Sequence, residues 1–95
     1  MESLTHIYAL KTLIILYKKG EKMTIDEIAK TISEPRGGVV HAVDVLVESK
    51  LLEAFVLRSA PYDEEVVLTP VGRTVAEKIK EIEDLIGWMH KEGVN

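Results

Sequence analysis

The sequence contains no cysteine and no long apolar run. Without thiols the chain cannot form disulfide bonds or thiolate metal sites, which suits a reducing cytoplasm. No stretch approaches the roughly 20 apolar residues that span a bilayer, and no basic segment precedes an apolar one at the N-terminus. We therefore expect a soluble cytoplasmic protein that makes no contact with a membrane.

Basic charge is also scarce, since 12 lysines and arginines face 16 acidic residues and the formal net charge is −4. This balance counts against nucleic-acid binding, because phosphate contacts normally need a surplus of basic side chains. The charges are unevenly distributed, however. Residues 1–22 carry more lysines than acids, whereas residues 77–92 carry five acidic side chains against three lysines. The C-terminal segment is therefore net acidic, whereas the N-terminal segment is net basic.

Catalytic motifs are missing as well. His6, His41 and His90 lie far apart, and the chain has no HExxH motif, no glycine-rich phosphate loop and no activated nucleophile. Acidic runs at 63–65 and 81–84 lack the histidine or loop framework of a metal site. We predict a non-enzyme with no metal, no other cofactor and no apparent small-molecule effector. With 95 residues, 46% of them hydrophobic, we expect a single domain spanning 1–95.

The N-terminal part of the chain shows helical periodicity. Apolar residues crowd the segment from Leu4 to Tyr17 at helical spacing, which predicts a first helix that is largely buried. Lys18 and Lys19 place positive charge at its C-terminal end, and Gly20 is typical of the residue that terminates a helix.

Two further helices follow in close succession. Thr24 and Glu27 have the spacing of a capping box, so we predict that a second helix begins at Ile25. Its buried stripe is Ile25, Ile28, Ala29 and Ile32. We expect Pro35 to be the first residue of a third helix that extends to about Ser49, because the missing N–H of proline is no loss there.

After Leu51 the spacing of apolar residues changes from a helical period to alternation along the chain, which is typical of strands. We predict strands at about 53–58 and 65–69, joined by a loop of turn-forming residues. Thr69 and Pro70 have the residue types of an N-cap and a first helical position, so a last helix should run from Pro70 to about His90. The predicted order is α-α-α-β-β-α, a mainly α chain with a small β-hairpin.

Two stretches carry a resemblance to a known family. The segment AKTISEPRGGVVHAVDVLVESKLL, from Ala29 to Leu52, resembles the helix-turn-helix of winged-helix transcription regulators of the MarR, ArsR and PadR kind, and it fits without a gap. Farther along, VVLTPVGR from Val66 to Arg73 resembles their junction between wing and helix. The resemblance implies a winged helix-turn-helix fold, with the helix-turn-helix at about 25–49, the wing at about 53–69 and the C-terminal helix at about 70–90.

The resemblance also implies a duplex-DNA partner and a set of contact residues. The third helix would lie in a major groove and the wing would clamp the backbone. The expected DNA-binding residues are Arg36, Gly37, Val40 and His41 on the third helix, Arg58 and Tyr62 in the wing, and Lys18, Lys19 and Lys22 after the first helix. Alternatively, Arg36 pairs with Glu34 and the lysines are only solvated. The glycines at 37 and 38 allow either close approach to DNA or a poorly formed helix start.

The last helix has two apolar faces. Val75, Ile79, Ile82, Ile86 and Met89 recur with the spacing of an a/d seam, while Ala76, Leu85 and Trp88 lie on an adjoining face. A domain of this size has too little core to bury both faces, so we predict a homodimer that uses the a/d seam as its interface. The alternative is a single wide stripe that faces the core.

The sequence thus supports two functions of different classes. The first is a homodimeric DNA-binding transcription regulator. The second is a winged helix that binds another protein and not DNA, because Val40 and Val45 are apolar, Asp44 and Glu48 are acidic, and acids occupy 63–65 at the expected wing tip.

Overall fold

The structure is a computed structural model that describes residues 2–59 and 63–91, with side chains described for 5–59 and 63–87. Seven elements follow one another along the chain, namely α1 (Glu2–Lys19), β1 (Met23–Thr24), α2 (Ile25–Ile32), α3 (Arg36–Glu48), β2 (Leu52–Val56), β3 (Glu64–Leu68) and α4 (Pro70–Lys91). The strands form one antiparallel sheet in the order β1-β3-β2. The expected mainly α architecture with a small hairpin is confirmed.

Helix α1 ends where its sequence predicts. Two lysines occupy its last turn, and Gly20 follows with a φ of 74°, a left-handed conformation that glycine adopts without steric cost. The inner face is buried through Leu13 and Leu16. The expectation that α1 is largely buried is wrong for its outer face, since Ile7 and Leu10 are almost half exposed. The small domain has no second layer to cover that face.

The capping box at the start of α2 is present. The Thr24 hydroxyl accepts a hydrogen bond from the Glu27 N–H at 3.1 Å, and the Glu27 carboxylate accepts one from the Thr24 N–H at 2.8 Å. Ser33 ends the helix in the left-handed conformation. Pro35 is the N-cap of α3 and not its first residue, because its ψ of 138° keeps it extended, and the helix begins at Arg36.

The wing strands pair in register from Leu52↔Leu68 to Val56↔Glu64, and both begin one residue earlier than predicted. The two-residue strand β1 was not predicted. It pairs Met23 with Val66, and a segment of two residues is too short to show alternation. This pairing makes β3 the central strand of the sheet, so that the hairpin is tied to the start of α2.

One core holds the four helices and the sheet together. Its largest fully buried side chains belong to α1, α2, α3, β2 and β3, and they are Leu16, Ile25, Ile28, Leu52, Val39, Val43, Val66 and Thr12. Burial of each large aliphatic side chain contributes about 1.5–3 kcal/mol. The contacts between α1 and α3 are the most extensive among the helices, so α1 forms the platform on which α3 rests.

Helix α4 is capped as predicted, because the Thr69 hydroxyl accepts a hydrogen bond from the Gly72 N–H at 2.9 Å. Its first half lies on the core, where Ala76 is fully buried. Its second half exposes large apolar side chains. Among the described residues no helix is both long enough and apolar enough to cross a membrane.

Gly72 lies against the backbone at the junction of wing and helix, where a Cβ would overlap the carbonyl oxygen of Leu51. Because that oxygen belongs to the backbone and accepts a hydrogen bond from Thr69, it cannot move aside cheaply. We expect Gly72→Ala to lower the free energy of unfolding by about 2 kcal/mol or more, as overpacking does. Urea denaturation measures the change.

Gly37→Ala is the matched control. A Cβ at Gly37 meets open space within a helix, so alanine there should leave stability unchanged or raise it by up to ~1 kcal/mol. Equal effects of the two substitutions would contradict the assigned packing of Gly72.

Candidate nucleic-acid interface

The exposed face of α3 is short of positive charge. Gly37, His41, Asp44, Val45 and Glu48 are exposed, whereas the buried face of the helix carries Val39, Ala42, Val43 and Leu46. Val40, expected on the outward side, is only half exposed and packs against the core. The outward face therefore presents one imidazole and two carboxylates.

Arg36 begins α3 and is already engaged. Its Nε donates a hydrogen bond to Oδ1 of Asp26 at 2.6 Å, and its Nη2 lies 3.4 Å from Oδ1 of Asp63. The hydrogen bond to Asp26 raises the pKa of the Arg36 guanidinium above its ordinary value, and the negative charges of Asp26 and Asp63 add to that effect. The guanidinium thus stays charged and bridges α2 to the start of β3.

Asp63 was expected at the exposed wing tip, and that expectation is wrong. The residue is only 5% exposed, although it lies at the loop end of the hairpin, directly before β3. Its Oδ1 accepts hydrogen bonds from the Ile25 N–H at 3.1 Å and from the Glu64 N–H at 2.8 Å, besides its contact with Arg36. A buried carboxylate needs such partners, because desolvation of an unpaired charge is costly. Asp63 thereby joins α2, α3 and β3.

A second polar cluster links α1 to the turn before α3. Glu34 forms its ion pair with Lys11, and the alternative pairing of Glu34 with Arg36 is wrong. The hydrogen bond from Lys11 lowers the pKa of Glu34 below its ordinary value. Burial raises the pKa of the Tyr8 hydroxyl, and its interaction with the Glu34 carboxylate raises it further. These three side chains fix the position of the turn.

Gly38 provides the close approach between α1 and α3. A Cβ at this position would overlap the ring of Tyr8, so only glycine lets the aromatic ring lie on the first turn of α3. Gly38 therefore serves the packing of α1 on α3. Gly37 remains exposed, with open space around its α-carbon.

The other expected contact residues are spread over two sides of the domain. The Lys18 Nζ lies 3.7 Å from Oε1 of Glu83 in α4. Lys19 is exposed at the end of α1. The Lys22 Nζ lies 3.6 Å from Oε2 of Glu65 in the wing strand β3. Arg58 is exposed just after β2. Tyr62 lies outside the described residues. The structure brings Arg36 to Asp63 at the loop end of the hairpin and Lys22 to Glu65 of β3, whereas Lys18 lies against α4.

The expected dimer seam divides along the length of α4. Val75 and Ile79 are half-buried and pack against the core, whereas Ile82 and Ile86 are 59% and 50% exposed. Leu85 is exposed beside them, and the side chain of Met89 lies outside the described residues. Helix α4 is 22 residues long, about 33 Å, and is therefore longer than the core that it covers.

Sequence reasoning missed the roles of Asp26, Asp63 and Tyr8. Asp26 lies in the first turn of α2, where an acidic residue is common for local reasons. Its pairing with Arg36 and that of Asp63 with Ile25 connect residues 10 and 38 positions apart. No helical or strand periodicity encodes such pairs.

Comparison with known proteins identifies the fold. No family model and no curated protein matches the sequence. Among solved structures, ZitR from Lactococcus lactis is 20% identical, with a TM-score of 0.78 over 96% of this chain and 67% of that chain. The S. aureus MepR–DNA complex is 22% identical, with a TM-score of 0.78 over 92% of this chain and 64% of that chain. AF1382 from Archaeoglobus fulgidus is 26% identical, with a TM-score of 0.73 over 82% of this chain and 86% of that chain.

The fold is therefore the winged-helix fold of MarR-family regulators such as ZitR, AdcR and MepR. The resemblance stated from the sequence is confirmed at this level. The chain spans about two thirds of the length of ZitR and slightly less of AdcR and MepR.

Asp63 should be a main determinant of stability. We expect Asp63→Ala to lower the free energy of unfolding by about 2–4 kcal/mol, because it leaves two backbone N–H groups without their acceptor. Asp44→Ala removes the same group from the exposed face of α3 and should change stability by less than about 0.5 kcal/mol. Urea denaturation measures the free energy of unfolding of both variants. Similar losses of that free energy in the two variants would contradict the assigned role of Asp63.

Proposed function

We propose that this protein is a transcription regulator that binds duplex DNA as a homodimer, with α3 in the major groove and the wing on the sugar-phosphate backbone. The observation that carries the proposal is the likeness to S. aureus MepR, whose structure was solved in complex with DNA and which matches 92% of this chain at a TM-score of 0.78. Binding would act by occluding or recruiting the transcription machinery.

The contact surface follows from this placement. Arg36 and Gly37 lie in the first turn of α3, His41 is one turn farther along, and Arg58 lies at the wing. The guanidinium of Arg36 stands beside the positive N-terminal end of α3, where it can bind a phosphate or the edge of a guanine. Val40 would make a minor apolar contact because it is half-buried. Tyr62, Lys18, Lys19 and Lys22 are proposed as backbone contacts.

The proposed homodimer rests on exposed apolar side chains. Ile82, Leu85 and Ile86 project from the second half of α4, and Ile7 and Leu10 lie on the outer face of α1. Large exposed apolar side chains clustered on one helix of a small domain are typical of an interface. We propose that a second copy covers α4 through Ile82, Ile86 and Met89, with Val75 and Ile79 completing the seam on the core side. A two-fold pair would hold the two α3 helices about 34 Å apart.

A second candidate function is binding of another protein through the same face. The observation in its favour is the chemistry of the outward face of α3, which presents Asp44, Val45 and Glu48 while Arg36 is held by two aspartates. An acidic and partly apolar face suits a basic partner protein better than it suits phosphate.

A salt-dependent titration with a labelled mixed-sequence duplex tests DNA binding. We expect binding at low salt and a steep loss of affinity as salt rises, because phosphate contacts release counterions. Arg58→Ala should reduce the slope of log K against log salt by about one. Lys78→Ala, which removes the same charge from α4, should leave the slope unchanged. Absence of binding at low salt would contradict the regulator and favour the protein-binding alternative.

Sedimentation equilibrium tests the homodimer. The double variant Ile82→Glu, Ile86→Glu places two carboxylates in the proposed interface and should sediment as a monomer where the unaltered protein is a dimer. Val71→Glu, at an equally exposed apolar position in the first turn of α4, is the control and should remain dimeric. A dimer that survives the double variant would place the interface elsewhere.

A further inference from the structure

Two carboxylates hold Arg36, and they differ in how firmly they are fixed. Asp63 is almost fully buried and accepts two backbone N–H groups, so its position is set by the fold. The Asp26 side chain is 44% exposed, and its hydrogen bond in the described structure comes from Arg36 Nε. The Arg36 side chain is itself 40% exposed. Asp26 is therefore the partner that solvent and an incoming ligand can reach.

The charge balance of this cluster opposes phosphate binding. One guanidinium beside two carboxylates leaves a net negative charge at the first turn of α3, where a helix N-terminus alone would attract an anion. A phosphate oxygen that approaches the Nε side of the Arg36 guanidinium competes with the exposed carboxylate of Asp26 for the same donor. Loss of the ion pair with Asp26 is a modest cost to the incoming ligand, because half-exposed ion pairs are weak and screened by salt.

Neighbouring acidic residues are engaged elsewhere. The carboxylate of Glu27 accepts the N–H of Thr24 in the capping box, and Glu34 is paired with Lys11. Neither contacts Arg36 among the interactions of the described residues. Of the two aspartates that contact Arg36 in the described part of the chain, Asp26 is the one that is half exposed.

We propose that Asp26 is a specificity-determining residue of the DNA interface, which masks Arg36 from phosphates that contact it through a single oxygen. A site that presents two acceptors to the guanidinium, such as the edge of a guanine, competes with the carboxylate better than a single oxygen does. The proposal rests on the proposed function of DNA binding. A masked arginine would keep nonspecific binding low, because it adds no phosphate contact.

The test is a double-mutant cycle in the intact protein, with a labelled mixed-sequence duplex as the probe. Asp26→Asn, Arg36→Ala and their combination are titrated at several salt concentrations. We expect Asp26→Asn to tighten binding about tenfold at low salt and to steepen the salt slope by about one, since one more phosphate is contacted. The tighter binding and the steeper salt slope should both vanish in the Arg36→Ala background, because Asp26 would act on DNA binding through Arg36 and the effects of coupled residues are not additive.

Asp44→Asn is the matched control. It removes the same charge from the exposed face of α3 and makes no contact with Arg36 in the described structure, so any gain it causes should be equal with and without Arg36. Unfolding midpoints of all variants show whether a change in affinity reflects a change in stability. Asp26→Ser, which retains a short acceptor at the start of α2, replaces Asp26→Asn if the latter is unstable.

The outcomes separate this proposal from the proposed function. If the unaltered protein binds the duplex but the gain from Asp26→Asn is absent or survives Arg36→Ala, the mask is overturned and DNA binding stands. If Asp26→Asn alone binds, and only with Arg36 present, the mask is supported. If no variant binds at low salt, both proposals are overturned.

Discussion

The buried carboxylate of Asp63 is the interaction on which the arrangement of the interface depends. It accepts backbone N–H groups from the first residue of α2 and from the first residue of β3, and it also faces Arg36. An ionised group in this environment is stable only while its partners stay in place, because unpaired buried charge is strongly disfavoured. The wing therefore cannot move relative to the helix-turn-helix without breaking these contacts.

The rest of the interface is positioned from the other side by α1. The ring of Tyr8 lies on Gly38, and the Lys11–Glu34 pair holds the turn between α2 and α3. Helix α3 is thus fixed at its first turn by α1, α2 and β3 together. Such support suits a contact surface, since a binding geometry is maintained best when its side chains are held by rigid elements.

The two halves of α4 have different roles in this scheme. The first half completes the core, and the second half carries apolar side chains beyond it. Acidic residues also surround the cationic groups of the domain, since the exposed positions of α3 include Asp44 and Glu48 and the one arginine of α3 is balanced by aspartates. The proposed binding of a phosphate backbone would therefore rely on a few cationic groups, several of which are paired with acids.

The sequence by itself determined the helices, the hairpin and their order, because caps, turn residues and apolar periodicity are local signals. Thr24 with Glu27, and Thr69 with Pro70, marked helix starts within a residue of their observed positions. Only the tertiary structure decided that Arg36 is bound by Asp26 and Asp63, that Gly38 receives Tyr8, and that β1 joins the sheet. Those contacts join residues distant along the chain, and one-dimensional periodicity carries no information about which distant side chains meet.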